Sequence, residues 1–122
     1  MHRLLIAINS QSLTDALTHK LSSRFEVHSC CTGTDAAKLL ENLHPAALII
    51  DLRLSESGGL AALESCSYKP TAIIALTDFL DDGLIHRADA AGVTVLVRIP
   101  CTAKCITGLL ENAFEKAPSP ET

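Results

Sequence analysis

Short stretches rich in apolar residues recur along the chain, and they show two different patterns. Four short runs are almost unbroken in apolar character, and a fifth stretch alternates apolar and polar residues. Unbroken runs are typical of strands buried on both faces of a sheet, while strict alternation indicates a strand nearer the sheet margin. The pattern predicts strands at 4–8, 25–28, 47–50, 71–76 and 93–97, with 25–28 as the alternating one.

Between and after these strands, apolar residues recur three and four positions apart, which is the spacing of one helix face. Ser12 is predicted to cap the first helix. Thr34 is predicted to begin the second, which stops at Pro45 because a residue that precedes proline disfavours the helical conformation. The inward residues of these two helices are expected to be Leu13, Ala16, Leu17 and Leu21, then Ala36, Leu39, Leu40 and Leu43.

Three more helices follow. Gly58 and Gly59 begin a short third helix, and Asp81 and Asp82 lie near the start of a fourth, where acidic residues suit the helix dipole. Gly92 ends the fourth helix, and the last runs from about 102 to 114. The inward residues are expected to be Leu60, Leu63 and Cys66, then Leu84, Ile85 and Ala88, then Cys105, Ile106, Leu109, Leu110 and Ala113.

Strict strand–helix alternation over this length predicts an α/β fold, a doubly wound parallel sheet with helices on both faces. All strands of such a sheet end on the same side, where open α/β folds place their chemistry. Asp51 ends one apolar run and Thr77 ends the next. We therefore single out Asp51 as the principal candidate for a reactive side chain.

The composition limits the classes of protein to which the chain can belong. The chain has 122 residues, 48% of them hydrophobic, and a net charge of −4, which suits one domain at 1–116 followed by a disordered tail or linker start at 117–122. A mildly acidic chain without a basic cluster is a poor nucleic-acid binder. No apolar run resembles a signal peptide or approaches the roughly 20 residues of a membrane span, so we expect a cytoplasmic protein.

Cysteine and histidine spacing gives little sign of a metal site. The five cysteines contain no CxxC pair, and we interpret them mainly as small buried hydrophobes of a reducing compartment. The alternative is that Cys101 and Cys105 share a helix face and bind a metal, although no matching second pair exists. The histidines are scattered and expected at the surface: His2, His19, His28, His44 and His86.

At its strand ends the chain resembles the receiver domain of two-component response regulators, over residues 3–114. The resemblance rests on Pro45 before the strand that ends in Asp51, on the segment 51–60, on Pro70 before the strand that ends at Thr77, and on 92–100. It implies a flavodoxin-like five-stranded sheet in the order 2-1-3-4-5 with five flanking helices. It also implies a signalling module and not an enzyme.

The resemblance further implies roles for these residues. A histidine kinase or phosphotransfer protein passes a phosphoryl group to Asp51, and the hydroxyl of Thr77 binds a phosphoryl oxygen. The family's usual partners are a second copy, bound through the fourth helix, fifth strand and fifth helix, and, if the natural protein continues past Thr122, a DNA-binding output domain. That face would present Arg87, Asp89, Lys104 and Glu111.

The chain departs from the family pattern at three places. The family holds Mg²⁺ with an acidic pair after the first strand, where this chain has Asn9 and Ser10. A lysine before the proline after the fifth strand contacts the phosphoryl group, and here that position is Ile99. An aromatic residue in the fifth strand switches inward, and here that position is Leu96.

These departures weaken the expected metal site. Mg²⁺ prefers carboxylate oxygens, so Asp51 and the backbone carbonyl of Arg53 are expected to hold it weakly or not at all. Arg53 is better placed than Arg98 to approach Asp51, because Arg98 points to the opposite face from the lysine position. Glu56 would add a metal oxygen. The plainer alternative is that Arg53 and Glu56 are solvated loop charges, with Asp51 and Thr77 serving only as turn caps.

Three hypotheses remain open on the sequence. The first is a pseudo-receiver that acts through protein contact, and the second is a receiver that is phosphorylated at Asp51 with weak Mg²⁺ dependence. The third is a small flavodoxin-like ligand-binding protein, against which stand the lack of a glycine-rich phosphate loop and the scarcity of aromatic residues.

Overall fold

The computed structural model describes residues 1–54 and 59–116. Glu56, Gly58 and the tail at 117–122 therefore lie outside the described residues. In the part described, no helix combines the length and the apolar character that crossing a membrane requires.

Five strands and five helices alternate along the chain. In order they are β1 (His2–Ala7), α1 (Gln11–Leu21), β2 (Phe25–Cys30), α2 (Gly33–Leu43), β3 (Ala47–Asp51), α3 (Gly59–Ser65), β4 (Ala72–Thr77), α4 (Asp82–Ala90), β5 (Val95–Arg98) and α5 (Ala103–Lys116). All strand pairs are parallel and the sheet order is β2-β1-β3-β4-β5. The predicted flavodoxin-like fold, its strand order and the marginal place of β2 are confirmed.

The core has two layers because helices cover both faces of the sheet. Every residue of β3 and β4 is buried, as their unbroken apolar runs require. On one face Leu17 of α1 and Leu110 of α5 join a buried cluster with the sheet. On the other face Leu40 of α2 and Leu63 of α3 do the same.

Two predicted helix starts are late, that of α1 by two residues and that of α2 by one. Ser10, and not Ser12, caps α1, since its hydroxyl accepts the backbone N–H three residues further on at 3.3 Å. The second helix begins at Gly33 and not at Thr34, and Thr32 caps it, since its hydroxyl accepts the N–H of Asp35 at 3.1 Å. Both capping residues have extended backbone, which a cap requires and a helical residue cannot provide.

The start of β5 was also predicted too early. Val93 donates its N–H to the carbonyl of Ala88 at 3.0 Å, so it belongs to the end of α4. Gly92 has a φ of +93°, which confirms its predicted role as the residue that ends this helix. The strand itself begins at Val95.

The expected burial was wrong at several positions. Ile85 is 46% exposed, and Ala88 is the one buried residue of α4 among those described. Cys105 is exposed on α5, whereas Ile106 and Leu110 are buried as predicted. The interpretation of the cysteines as buried hydrophobes holds for Cys66; the others are half-buried (Cys30 and Cys101) or exposed (Cys31 and Cys105).

Candidate functional site

The polar candidates from β3 and β4 lie on one side of the molecule because the sheet is parallel. Asp51 is paired in register with Leu76, and Thr77 with Arg98. We call this side, where the strands end, the carboxyl end of the sheet. The structure therefore brings the strand ends together as the sequence predicted.

Asp51 is the last residue of β3 and is only 3% exposed. The next residue continues the pairing with β4, since Leu52 donates its N–H to the carbonyl of Leu76 at 2.8 Å. Leu54 then donates to the carbonyl of Asp51 at 3.2 Å and closes a turn. The backbone on either side of the carboxylate is thus fixed by hydrogen bonds.

Gly59 brings the start of α3 against the backbone of Asp51. A Cβ atom at Gly59 would lie 2.3 Å from the carbonyl oxygen of Asp51 and 3.0 Å from its carbonyl carbon. No side chain fits in that space, and the neighbouring atoms are backbone that cannot move aside easily. Only glycine allows α3 to begin so close to the candidate site.

Arg53 holds both carboxylate oxygens of Asp51. Its Nε donates to Oδ1 at 3.0 Å and its Nη2 donates to Oδ2 at 2.8 Å, while its backbone N–H also donates to Oδ1 at 2.8 Å. A planar guanidinium matches a carboxylate in this paired geometry, and such bonds are among the stronger ones in proteins. Arg53 rather than Arg98 therefore reaches Asp51.

The surroundings favour the charged form of Arg53. Its hydrogen bonds to Asp51 raise the pKa of Arg53, burial opposes them, and the charges of Asp51 and Asp78 raise the pKa further. Asp78 was not singled out from the sequence. Its signal is its position directly after Thr77, at the same end of the sheet as Asp51.

Thr77 is buried, with 3% of its surface exposed, and its hydroxyl is engaged locally. Oγ1 donates to the carbonyl of Phe79 at 3.1 Å, inside the turn between β4 and α4. The hydroxyl proton thus satisfies a turn carbonyl. This is the contact that the plainer alternative, a turn hydroxyl, calls for.

The positions that depart from the family pattern have contacts of their own. Asn9 is exposed, and the hydroxyl of Ser10 is used as the cap of α1. Leu96 is half-buried against the cluster that α2 and α3 form with the sheet. Ile99 packs against the cluster of α1 and α5, and its peptide bond to the following proline is cis.

Arg98 is exposed, and it forms no side-chain hydrogen bond or ion pair with any residue in the described ranges. It lies beside Thr77 in the strand register. Ile99 follows it and donates its backbone N–H to the carbonyl of Thr77 at 2.8 Å, so the ladder continues without a bulge that would turn Arg98 inward.

The described residues do not fit Mg²⁺. The ion needs several oxygen ligands, and carboxylates are the ones that balance its charge. Both oxygens of Asp51 already accept N–H groups of Arg53, while Asn9 and Ser10 are uncharged. Across 1–54 and 59–116, no group of three or more His, Cys, Asp or Glu residues is arranged to hold a metal.

No family model matches the chain, and no curated protein matches it. Solved structures do match the chain. A response regulator receiver domain from Methanospirillum hungatei aligns with a TM-score of 0.84 at 18% identity, over 95% of each chain. A LuxR-family DNA-binding response regulator from Staphylococcus aureus gives 0.78 at 22%, over 93% of this chain and 99% of that one.

A third structure, the chemotaxis protein CheY4 from Vibrio cholerae, aligns with a TM-score of 0.79 at 20% identity, over 93% of this chain and 98% of that one. The alignments cover nearly the whole of each partner, so the likeness concerns the complete sheet with its helices and not a shared fragment. At these identities it is a likeness of fold. The chain has the fold of response-regulator receiver domains.

Proposed function

We propose that the chain is a pseudo-receiver, a two-component signalling domain and not an enzyme, that works through protein–protein contact while Arg53 holds Asp51. The observation that carries the proposal is the paired contact of the Arg53 guanidinium with both oxygens of a buried carboxylate. The fold and the resemblance at the strand ends supply the signalling context.

The geometry of this pair opposes phosphoryl transfer to Asp51. The incoming phosphorus must approach a lone pair of a carboxylate oxygen, and here Oδ1 accepts two N–H groups and Oδ2 accepts one, so the guanidinium lies where that approach would occur and its charge lowers the nucleophilicity of both oxygens. Transfer also needs cations to offset the charge that gathers on the phosphoryl oxygens. The metal-binding acids are absent at positions 9 and 10, and Ile99 offers no cation.

The second hypothesis, a receiver phosphorylated at Asp51 with weak Mg²⁺ dependence, has one favourable observation. A guanidinium fork that fits a carboxylate also fits a phosphoryl group, so Arg53 would serve as the cation in place of a metal. In that case Arg53 would first have to leave the Asp51 oxygens that it contacts at 2.8 and 3.0 Å.

Incubation with acetyl phosphate and Mg²⁺, followed by intact-mass measurement, separates the two hypotheses. We expect the wild-type protein to keep its unmodified mass, and beryllofluoride to leave its NMR spectrum unchanged. Stoichiometric addition of a phosphoryl group, lost in Asp51→Asn, would overturn the pseudo-receiver proposal. Modification that persists in Asp51→Asn would show a different acceptor and would leave the proposal standing.

A restored variant provides the matched positive control. Asn9→Asp, Ser10→Asp and Ile99→Lys together return the acids and the lysine, and Arg53→Met removes the competing guanidinium. Aspartate caps helices as well as serine does, so α1 should keep its start. We expect this variant to be phosphorylated at Asp51 in the presence of Mg²⁺. Failure of the restored variant would show that something besides these four positions blocks the site.

The α4–β5–α5 face is the surface that we propose for contact with a second copy. Some of its charged side chains form ion pairs within the chain. Arg87 pairs with Glu64 of α3, and Glu111 pairs with Arg24. Its apolar residue Ile85 is 46% exposed. Contact there would rely on apolar surface more than on the charges that the sequence suggested.

Sedimentation of Ile85→Asp tests this surface. We expect the wild type to form dimers at high protein concentration and Ile85→Asp to remain monomeric, because a charge in an apolar contact loses its solvation. His19→Asp, an exposed change on α1, is the control and should sediment as the wild type does. A wild-type protein that stays monomeric, or a dimer that tolerates Ile85→Asp, would contradict the proposed contact.

A further inference from the structure

A groove between α1 and α5 is a cavity that the pseudo-receiver proposal does not use. Its volume is about 310 Å³, at the lower end of the range for small-ligand sites, which is roughly 300–1,000 Å³. Residues three and four positions apart on α5 form one stripe along the helix, and this stripe lines one side of the groove. The lining residues are Lys20 of α1 and Lys104, Thr107, Gly108 and Glu111 of α5.

Two lysines from different helices bring positive charge to this groove. Lys20 lies in the last turn of α1 and Lys104 in the first turn of α5, and both are exposed. Neither forms an ion pair with a residue at 1–54 or 59–116. Both ammonium groups are therefore available to an anion that enters the groove.

The acidic residue that lines the groove has its own cation. Glu111 pairs with Arg24, which follows α1 and does not line the groove. The Nη2 atom of Arg24 also lies 3.8 Å from Oε1 of Glu115, whose side chain is 67% exposed and is therefore screened by water. Arg24 thus offsets the charge of Glu111, and the two lysines determine the charge that a ligand in the groove would meet.

Thr107 supplies a hydrogen-bond donor without an acceptor. Its Oγ1 atom is buried and has no hydrogen-bond partner within the described part of the chain. Buried hydroxyl groups are nearly always paired, and a helical threonine commonly bonds a carbonyl one turn earlier. Rotation about the Cα–Cβ bond would exchange the hydroxyl with the methyl group, which is similar in size, and turn the donor toward the groove that Thr107 lines.

Gly108 leaves space in the groove. It lies in the middle of α5, where glycine is among the least favourable residues. A Cβ atom there would meet no atom within 4 Å, so close packing does not require glycine at this position. A longer side chain would extend into the groove that Gly108 lines, and the glycine is explained if that space is used.

We propose that the α1–α5 groove binds a small organic dianion, a phosphate monoester or a dicarboxylate. Lys20 and Lys104 would hold its charge, the hydroxyl of Thr107 would donate to one of its oxygens, and Gly108 leaves it room. The site uses neither Asp51 nor Arg53. It goes beyond the pseudo-receiver proposal, and either one stands if the other fails.

A bound dianion would link α1 to α5, because its oxygens would contact side chains of both helices. A ligand that binds the folded chain and not the unfolded one raises the free energy of unfolding as its concentration rises. The packing of these two helices on the sheet would then respond to the level of a small metabolite.

NMR titration of the full-length protein tests for binding. The probes are sodium phosphate and sodium succinate at pH 7.5, each compared with sodium chloride at the same ionic strength. We expect saturable shifts of the amide signals of Lys20, Thr107 and Gly108 with at least one probe, and small shifts without saturation with chloride. The probe with the lower Kd identifies the phosphate or the dicarboxylate as the preferred chemistry.

Variants at the groove connect these shifts to the named side chains. Lys20→Met and Lys104→Met should each raise the Kd about fivefold, the effect of losing one exposed charge contact. Gly108→Gln should abolish saturation because its side chain fills the space, while glutamine suits the helix. Lys38→Met, which removes an exposed lysine from α2, is the control and should bind as the wild type does.

Thr107→Val separates a binding role from a structural one. Valine has nearly the same shape but no hydroxyl, so the Kd should rise severalfold while the unfolding midpoint stays the same or increases, because the hydroxyl has no partner to lose. Three results would overturn the proposal: shifts that chloride reproduces, shifts that map outside the groove, or a Kd that is unchanged in the Lys20→Met Lys104→Met double variant.

Discussion

The end of β3 and the outer surface of α3 and α4 each hold an arginine against a carboxylate, yet the two pairs differ in burial. Arg53 contacts Asp51 at 2.8 and 3.0 Å, and Arg87 contacts Glu64 at 2.6 and 3.3 Å. The side chain of Asp51 is 4% exposed and that of Glu64 is 39% exposed. Water can solvate Glu64 without its partner, whereas Asp51 depends on Arg53.

Gly59→Ala should have the largest effect on stability, because it disturbs the end of β3 beside Asp51. A Cβ there meets the carbonyl group of Asp51 and the Cα of Leu52, all backbone atoms, so either α3 or the end of β3 must shift. We expect the free energy of unfolding to fall by about 3 kcal/mol or more, measured by urea denaturation.

Gly108→Ala, in α5 and away from both regions, is the matched control. A Cβ at Gly108 has no atom within 4 Å, and the residue lies in the middle of α5. Alanine should stabilise the protein by about 0.5–1 kcal/mol, because it costs less conformational entropy in a helix. Equal effects at Gly59 and Gly108 would refute the close approach of α3 to Asp51.

Removal of each arginine compares the two pairs directly. Arg53→Met leaves a buried carboxylate with one backbone N–H partner, and we expect a loss of about 1–2 kcal/mol, limited because Arg53 is itself half exposed. Arg87→Met should leave the unfolding midpoint unchanged within error. Double-mutant cycles with Asp51→Asn and Glu64→Gln should show clearly stronger coupling in the first pair, and coupling of similar size in both would refute the comparison.

The smallest expected effect is on the pKa of Glu64 in the exposed Arg87–Glu64 pair. The hydrogen bond from Arg87, assisted by the charges of Arg87 and Lys69, holds the pKa of Glu64 below its ordinary value. The folded pKa lies below the unfolded one, so the pair stabilises the protein above the ordinary pKa and loses that effect as the pH falls through the folded pKa. In Arg87→Met, the pKa of Glu64 measured by NMR titration should rise toward its ordinary value. An unchanged pKa would exclude this contact in solution.

The apolar pattern predicted the strands of a parallel sheet because burial on two faces leaves a clear mark, whereas the strand order came from the resemblance to receiver domains. The runs at 47–50 and 72–76 have no polar position to place on a solvent face, and they lie in the buried strands β3 and β4. Helix starts were less predictable. Ser10 and Ser12 carry the same capping hydroxyl, and only the backbone conformation decides which one caps α1.

The candidate site was partly predictable for a similar reason. Strand ends placed Asp51 and Thr77 on one side of the sheet, and the short separation from Asp51 favoured Arg53 over Arg98. The close contact of Gly59 with Asp51 depends on the angle at which α3 returns to the sheet. Sequence spacing does not contain that angle, because it is set by packing.

Arg53 is separated from Asp51 by a single residue, and this has a consequence for what the site can sense. A tethered guanidinium is present at a high effective concentration, whatever ions surround the protein. It cannot be diluted or removed by a chelator. Under the proposed function, the charge balance at Asp51 therefore follows the shape of the turn at 51–54 and not the cell's supply of divalent cations.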